Sequence, residues 1–265
     1  MKKIIALATL LISIFAHSQV KEGKIIYERV MQLPTRMMNV DPAIAAQIPK
    51  SRTDQYELLF GNNQSLLQFL PNINNEDQST FSGGGGTVVL RFAGGNNDIV
   101  FHNFTSQTKV EQREVFDRSF LVTDSIRKLN WKLTEESKTI LNYKVQKATS
   151  TRIGTRPRMT MENGQMKREE FPDTAKIIAW FTTDIPVPAG PDFQGQLPGA
   201  ILEVDIDNGQ TVYRAIEVSG KVSLNKIKEP KDGKKLTAAE FTKEREKLME
   251  EMRKNMPNGA VRIQQ

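Results

Sequence analysis

The sequence predicts a mainly β protein: a single antiparallel curved sheet, sandwich or half-open barrel, followed by a C-terminal amphipathic helix. Short apolar runs recur along most of the chain, and turn-forming residues separate them. Asn163-Gly164 and Asp207-Asn208-Gly209 lie between such runs, as in tight β-hairpins. Only one stretch, near the C-terminus, has the periodicity of an amphipathic helix.

The strands are predicted from alternating or continuous apolar runs bounded by turn residues. Gly61-Asn62-Asn63 is expected to join the second and third strands, and residues 71–80 are polar enough to predict a surface loop. In the strand that starts at Lys109, both faces carry polar residues, which predicts a largely exposed strand. The predicted strands span residues 23–30, 52–60, 65–70, 87–92, 98–104, 109–116, 119–124, 129–134, 139–148, 156–162, 166–170, 177–181, 201–206, 211–218 and 221–227.

The glycine run Gly83–Gly86 resembles a phosphate-binding loop in its composition. It lacks the lysine and the serine or threonine of a P-loop, and a strand rather than a helix follows it. We therefore interpret it as a hairpin tip.

Residues 228–235 are charged and contain Pro230 and Gly233, which predicts a linker. Thr237-Ala238-Ala239-Glu240 fits a capping box and begins a helix over 236–256. We expect the apolar face of this helix to pack on the sheet; docking on a partner is the alternative. That face carries Phe241, Leu248, Met249, Met252 and Met256.

The first residues predict a signal peptide. Lys2 and Lys3 precede the apolar run Ile4–Phe15, and Ala16-His17-Ser18 offers small residues for cleavage after Ser18. The apolar run is shorter than the ~20 residues that span a bilayer as a helix. We expect an exported protein with three parts: signal peptide 1–18, antiparallel β domain 19–230, and linker plus helix 231–265.

Composition excludes several classes of function. The chain contains no cysteine, so disulfides, thiol nucleophiles and thiolate metal sites are absent. Its net charge of +6 is mild for 265 residues, and no aromatic residues interleave with the basic ones, so nucleic-acid binding is not expected. His102 is the one histidine beyond the predicted signal peptide, and no neighbouring carboxylate has ligand spacing. We expect no metal and no cofactor.

The segment around which the rest is organised is Lys176–Asp205. Two apolar runs, Ile177–Phe181 and Ala200–Val204, flank residues 182–199, which we name the connector. Prolines restrict their own φ and that of the preceding residue, which predicts a rigid loop. Trp180 and Phe181 are expected to anchor its start. Its prolines and glycines are Pro186, Pro188, Gly190, Pro191, Gly195, Pro198 and Gly199.

The end of the connector, Gln196-Leu197-Pro198-Gly199-Ala200-Ile201, resembles the signature of the GLPGLI family. Trp131-Lys132-Leu133, Ile140–Ala148, Ala179–Thr182, Ile185-Pro186 and Gly190-Pro191 follow the same family in the same order, over a likeness from Gly23 to about Met256. The chain departs from the signature at Gln196, where the family has glycine, and at Ala200, where it has leucine.

The resemblance implies an exported, β-rich protein of a gram-negative, Bacteroidetes-type bacterium, located in the periplasm or on the cell surface. That family has no known activity, so it implies no catalytic residue. The family-motif residues are Trp131, Tyr143, Trp180, Phe181, Pro186, Gly190, Pro191, Leu197, Pro198, Gly199 and Ile201.

Four carboxylates in or beside the connector are candidates for a hydrolase or a cation site: Asp184, Asp192, Glu203 and Asp205. Glu203 and Asp205 are two residues apart on a strand and share a face, which we expect to be solvent-exposed if Leu202 and Val204 point inward. No EF-hand spacing occurs.

Two functional hypotheses follow. The leading one is a non-enzymatic binding or interaction module of the cell envelope, in which the connector closes a pocket for a lipid, a peptide or another envelope component. The alternative is a hydrolase that acts on envelope or glycan substrates through the connector carboxylates. The oligomeric state is left open.

Overall fold

The computed structural model describes residues 20–33, 46–71, 78–83, 86–91, 98–162 and 165–254. These residues form fourteen strands, a 3₁₀ turn at Leu224–Lys226 and one helix, α1 (Ala238–Lys254). The strands are β1 (Gly23–Gln32), β2 (Ser51–Gly61), β3 (Gln64–Leu70), β4 (Gln78–Gly83), β5 (Gly86–Arg91), β6 (Ile99–Asn103), β7 (Thr108–Val115), β8 (Arg118–Ser125), β9 (Lys132–Ile140), β10 (Tyr143–Glu162), β11 (Gln165–Thr182), β12 (Ala200–Ile206), β13 (Thr211–Ser219) and β14 (Lys234–Thr237).

Twelve strands form one sheet in the order β14-β8-β7-β6-β3-β2-β1-β13-β12-β11-β10-β9. β14 and β8 run parallel, and the other pairs are antiparallel. The sheet is open, with β9 and β14 at its edges, and β4 and β5 form a separate hairpin. The predicted mainly β class with a C-terminal helix is confirmed, and of the architectures expected, the structure is the single open sheet.

Hairpin turns lie where left-handed residues reverse the chain. Asn62 and Asn63 have φ of 51° and 57° between β2 and β3, and Asp207 and Asn208 have φ of 57° and 54° between β12 and β13. Both turns were predicted, because asparagine and aspartate tolerate this conformation. The predicted turn at 163–164 lies outside the described residues, but the strands on either side pair as expected.

The predicted strand 139–148 is wrong, because a tight turn divides it. Leu141 and Asn142 have φ of 48° and 69°, so β9 ends at Ile140 and β10 begins at Tyr143. Leucine gives no turn signal, and the side chain is 39% exposed here. The long antiparallel pairing of β9 with β10 imposes the turn on it.

The end of the β region also differs from prediction. Residues 221–227 contain the 3₁₀ turn rather than a strand, and the last strand, β14, lies partly in the predicted linker. β14 pairs with β8, which would otherwise be an unpaired edge. Gly233 (φ 142°) precedes it, and a Cβ there would meet the backbone of Ser119 and Phe120. In the same way, β4 occupies part of the predicted loop 71–80.

The connector packs on one face of the sheet, which we name the inner face. This face carries Ile25, Tyr27 and Leu58, which are fully buried. The connector lays five apolar side chains on it and so supplies a second layer without a second sheet. These side chains belong to Ile185, Val187, Ala189, Phe193 and Leu197.

Polar contacts tie the connector and the start of β12 to the same face. The Tyr27 hydroxyl donates to the carbonyl oxygen of Ile201 at 2.6 Å, and the Ser65 hydroxyl donates to Oε1 of Gln194 at 2.5 Å. All of these side chains are buried, so each bond satisfies groups that water cannot reach.

Helix α1 packs at the other end of the inner face, against β8 and β14. Its capping box is present as predicted: the Glu240 amide donates to Thr237 Oγ1 at 3.3 Å, and the Thr237 amide donates to the Glu240 carboxylate at 2.8 Å. Phe241 meets Phe120 edge-on at 5.6 Å between ring centroids, and Leu248 is buried. The expected docking of the apolar face on the sheet is therefore observed for Phe241 and Leu248.

Within the described residues, no helix is both long enough and apolar enough to cross a membrane. The predicted signal peptide and Met256 lie outside the described part of the chain.

Candidate functional site

The connector and α1 cover different parts of the inner face, and a cavity of about 560 Å³ lies between them. Small-molecule sites have volumes of roughly 300–1,000 Å³. The floor of this cavity comes from strands on both sides of β3, one wall from Asp192 of the connector, and the other wall from α1.

The floor is charged because β7 turns its odd-numbered side chains inward. Glu111 pairs with Lys109 at 2.5 Å and with Arg113 at 2.7 Å, and Arg113 also pairs with Asp98 at 2.7 Å. Burial opposes ionisation of Glu111, but Arg113 and Lys109 outweigh it and lower its pKa. The predicted exposed strand is therefore wrong: Val110 is buried on one face, and these charges line the cavity on the other.

Arg29 of β1 extends the charged floor toward β13. Its guanidinium pairs with the buried Asp54 at 2.6 Å and lies 4.9 Å above the ring of Tyr56. Arg52 contributes the second cation of Asp54, at 2.7 Å. Burial raises the pKa of Tyr56 to about 12 and also raises that of Tyr213, so both hydroxyls stay protonated at neutral pH.

Asp192 is placed in the cavity by a left-handed backbone conformation, φ 57°. The residues on either side, Pro191 and Phe193, are buried and fix that conformation. The Asp192 side chain is exposed to the open space of the cavity. The protein around that cavity still removes much of its hydration, which raises the pKa of the carboxyl against the opposing effect of Arg29. Its carboxylate makes no hydrogen bond or ion pair with any described residue.

Arg245 reaches the cavity from α1. Its Nε is buried without an acceptor. In the part of the chain that the structure describes, no carboxylate pairs with its guanidinium. Among the described residues, the Asp192 carboxylate and the Arg245 guanidinium in this cavity have no ion-pair partner.

The four predicted carboxylates do not converge. Asp184 is exposed and lines a second cavity of about 330 Å³. Glu203 is on the outer face but is only 8% exposed rather than solvated, and it pairs with Lys138 at 2.7 Å and Arg214 at 3.0 Å. Asp205 accepts from the Gly209 amide at 2.6 Å and closes a turn. Only Asp192 reaches the inner-face cavity.

Among the described residues, no three of the histidines, aspartates and glutamates lie close enough together to hold a metal ion. This finding concerns only the ranges given above.

The departure from the family signature at Gln196 has a structural role in this chain. Its Oε1 accepts from the Leu129 amide at 2.9 Å and from Trp131 Nε1 at 3.0 Å. The ring of Trp131 meets Phe193 edge-on at 5.6 Å. Gln196 therefore links the connector to the segment before β9.

The other family-motif residues fall into three groups. Phe181, Gly190, Pro191, Leu197, Gly199 and Ile201 are buried, Tyr143 and Trp131 are half-buried, and Pro186 and Pro198 are exposed.

Trp180 was expected to anchor the connector beside Phe181. It is half-buried on the outer face, and the Lys138 ammonium lies 4.3 Å from its ring centroid. Phe181 alone of the pair lies in the core, because successive strand residues point to opposite faces.

His102 is buried beside the cavity floor, and its Nδ1 has no partner. Burial, together with the nearby Lys109, lowers its pKa from 6.5 to about 4, although Glu111 opposes the shift.

We expect His102 to make folding acid-sensitive. The unfolded chain binds a proton near pH 6.5 and the folded chain only near pH 4, so stability is lost as the pH falls through this window. The loss amounts to about 3 kcal/mol at 1.36 kcal/mol per pKa unit. Urea unfolding of wild type and of His102→Gln between pH 7.5 and 4 measures it as the difference between the two curves.

The subtraction matters because Asp192, with its raised pKa, acts in the opposite direction: its ionisation costs stability as the pH rises through its folded pKa. Parallel curves for wild type and His102→Gln would contradict the prediction.

Comparisons with known proteins give a family match and a fold match. A family model described as "Protein of unknown function (Porph_ging)" matches residues 131–203, from Trp131 through the connector to Glu203. No curated protein matches the chain.

Among solved structures, the chain is similar to PNGF-II in the P21 space group, with 16% identity and a TM-score of 0.50 over 84% of this chain and 32% of that chain. PNGF-II in the C2 space group gives 16% and 0.49 over the same shares. The chain thus spans about a third of the length of the solved protein it matches. At this identity the likeness concerns the fold alone.

Proposed function

We propose that this chain is an exported binding protein of the cell envelope that holds a small amphipathic molecule in the inner-face cavity. The observation that carries the proposal is the cavity itself: about 560 Å³, with charged residues on its floor and apolar residues of α1 on one wall. Binding sites of this size combine apolar walls with a few placed polar groups.

Export and the cell-envelope location rest on the sequence. The leader at residues 1–18 and the resemblance of residues 196–201 to the GLPGLI signature both support it. The periplasm or the cell surface of a gram-negative bacterium is the proposed location.

The placement of the carboxylates supports binding over the hydrolase alternative. Glycoside hydrolysis by paired carboxylates needs the two groups roughly 5–9.5 Å apart on either side of the bond. Glu203 is neutralised by two cations on the outer face, and Asp205 is used in a turn. Asp192 has no second connector carboxylate beside it in the cavity.

A tryptophan at the mouth of the cavity should displace the ligand. Thr242 is an exposed residue of α1 that lines the cavity, and its neighbour Lys243 is exposed and does not. We expect native mass spectrometry of protein purified from its own host to show a retained small molecule in wild type and in Lys243→Trp, and to show it lost in Thr242→Trp.

The two variants add the same side chain one residue apart, so an effect on the helix alone would affect both. Equal retention in both, or wild type free of any bound molecule, would contradict a ligand in this cavity.

A further inference from the structure

We infer that the ligand is a short peptide with free termini, whose ammonium group binds Asp192 and whose carboxylate binds Arg245. This inference rests on the proposed function and names its substrate class. It starts from two opposite charges that line one cavity and have no ion-pair partner in the described part of the chain.

The Asp192 carboxylate is available to a cation from outside the chain. Three arginines act on it electrostatically: Arg29 pairs with Asp54, Arg113 pairs with Glu111 and Asp98, and Arg152 is exposed to solvent. The left-handed backbone conformation at Asp192 costs free energy, and the packing of the neighbouring residues holds the chain in it. An incoming ammonium would favour the ionised carboxylate that burial disfavours.

The Arg245 guanidinium is available to an anion. Of the other acids that line the cavity, Asp124 pairs with Arg127 at 3.2 Å, Asp98 and Glu111 pair with Arg113, and Glu114 is not free either. Arg245 lines the cavity, and a carboxylate is the group that a guanidinium binds best.

Asp192 and Arg245 do not pair with each other, because separate anchors hold them. Phe193 fixes the connector in the main core, and Leu248 fixes α1 in the cluster on β8. A ligand that satisfies both must therefore carry a positive and a negative group at a distance from each other. An extended peptide provides this, with about 3.3–3.6 Å per residue between its ends.

The walls favour a peptide over a lipid with a dipolar head group. Phe241, Met249 and Val115 offer apolar surface for side chains. Lys109, Glu111 and Arg113 interrupt that surface, whereas acyl chains need continuous apolar contact.

The test uses the tripeptide Ala-Phe-Ala, its N-acetylated form and its C-terminal amide, with binding measured by calorimetry to the full chain. We expect acetylation to weaken binding to wild type by about 10- to 100-fold, as loss of a charged hydrogen bond would. Asp192→Asn should bind the free and acetylated forms equally. Arg245→Gln should bind the free and amidated forms equally.

Each variant is also the other's control, since Asp192→Asn should still distinguish the amide and Arg245→Gln the acetylated form. Both substitutions preserve local structure: asparagine tolerates the left-handed conformation, and glutamine is a good helix former.

Equal affinity of wild type for the free and blocked tripeptides would overturn the inference. So would binding of glycerophosphoethanolamine, which has an ammonium and a phosphate but no peptide backbone, in place of Ala-Phe-Ala. If Thr242→Trp loses a native ligand while no tripeptide binds wild type, the peptide is wrong and the cavity function stands. If wild type also retains no native ligand, both are wrong.

Discussion

Gly199→Ala is expected to prevent folding or to lower the free energy of unfolding by at least about 3 kcal/mol. A Cβ on Gly199 would overlap the carbonyl oxygen of Thr182 and come within 3.2 Å of the carbonyl oxygen of Ile185. These are backbone atoms at the two ends of the connector's first turn, so no side-chain rotation relieves the overlap. Urea unfolding, and the yield of folded protein, measure the effect.

The matched control is Gly220→Ala. Gly220 follows β13, and a Cβ there meets no atom within 4 Å. Neither glycine has a positive φ, so the comparison reports whether the added methyl group has room. If Gly199→Ala is as stable as Gly220→Ala, the close approach of the connector to the end of β11 is wrong.

Phe193→Ala is expected to cost about 3–5 kcal/mol, the usual range for removing a buried phenylalanine ring. Phe193 is 5% exposed, lies within the main core, and meets Trp131 edge-on. Its loss would leave a cavity between the connector and the sheet. Chemical unfolding monitored by tryptophan fluorescence gives the value, because Trp131 reports on this contact.

Trp180→Ala provides the comparison. Although larger, Trp180 is half-buried on the outer face, and cation–π contacts with Lys138 and Lys147 contribute ~0.5–1 kcal/mol at exposed sites. We expect a smaller loss of stability, about 1–2 kcal/mol. A loss equal to that of Phe193→Ala would show that Trp180 is a core residue after all.

Much of the local structure could be predicted from the residues themselves. Asn62-Asn63 and Asp207-Asn208 tolerate left-handed backbone, so their turns were identified correctly. The helix start at Thr237 was found because a capping box is a contact between residues three apart. Each of these signals acts within a few residues.

The predictions that failed depend on distant partners. Leu141 adopts a turn conformation because β9 pairs with β10. β14 forms by pairing with the edge strand β8. Lys109, Glu111 and Arg113 look like an exposed face until the connector and α1 enclose them. Gln194 gave no signal at all, yet it is buried against Ser65.

Only part of the candidate site could be predicted from the sequence. Asp192 was among four possible carboxylates, but nothing in the sequence distinguished it from Asp184, Glu203 or Asp205. Asp192 lines the cavity because its neighbours Pro191 and Phe193 are buried and turn its carboxylate toward that space. Nothing in the sequence marked Arg245 as a site residue.

The sequence alone determined that this chain is mainly β, where several of its hairpins reverse and where its helix begins, because residue alternation, left-handed turns and capping are local interactions. Only the tertiary structure decided that β1 lies between β2 and β13, that the connector folds onto the inner face and that Asp192 and Arg245 line one cavity. Those choices come from contacts between residues more than a hundred positions apart, such as the hydrogen bond from the Tyr27 hydroxyl to the carbonyl oxygen of Ile201 in β12.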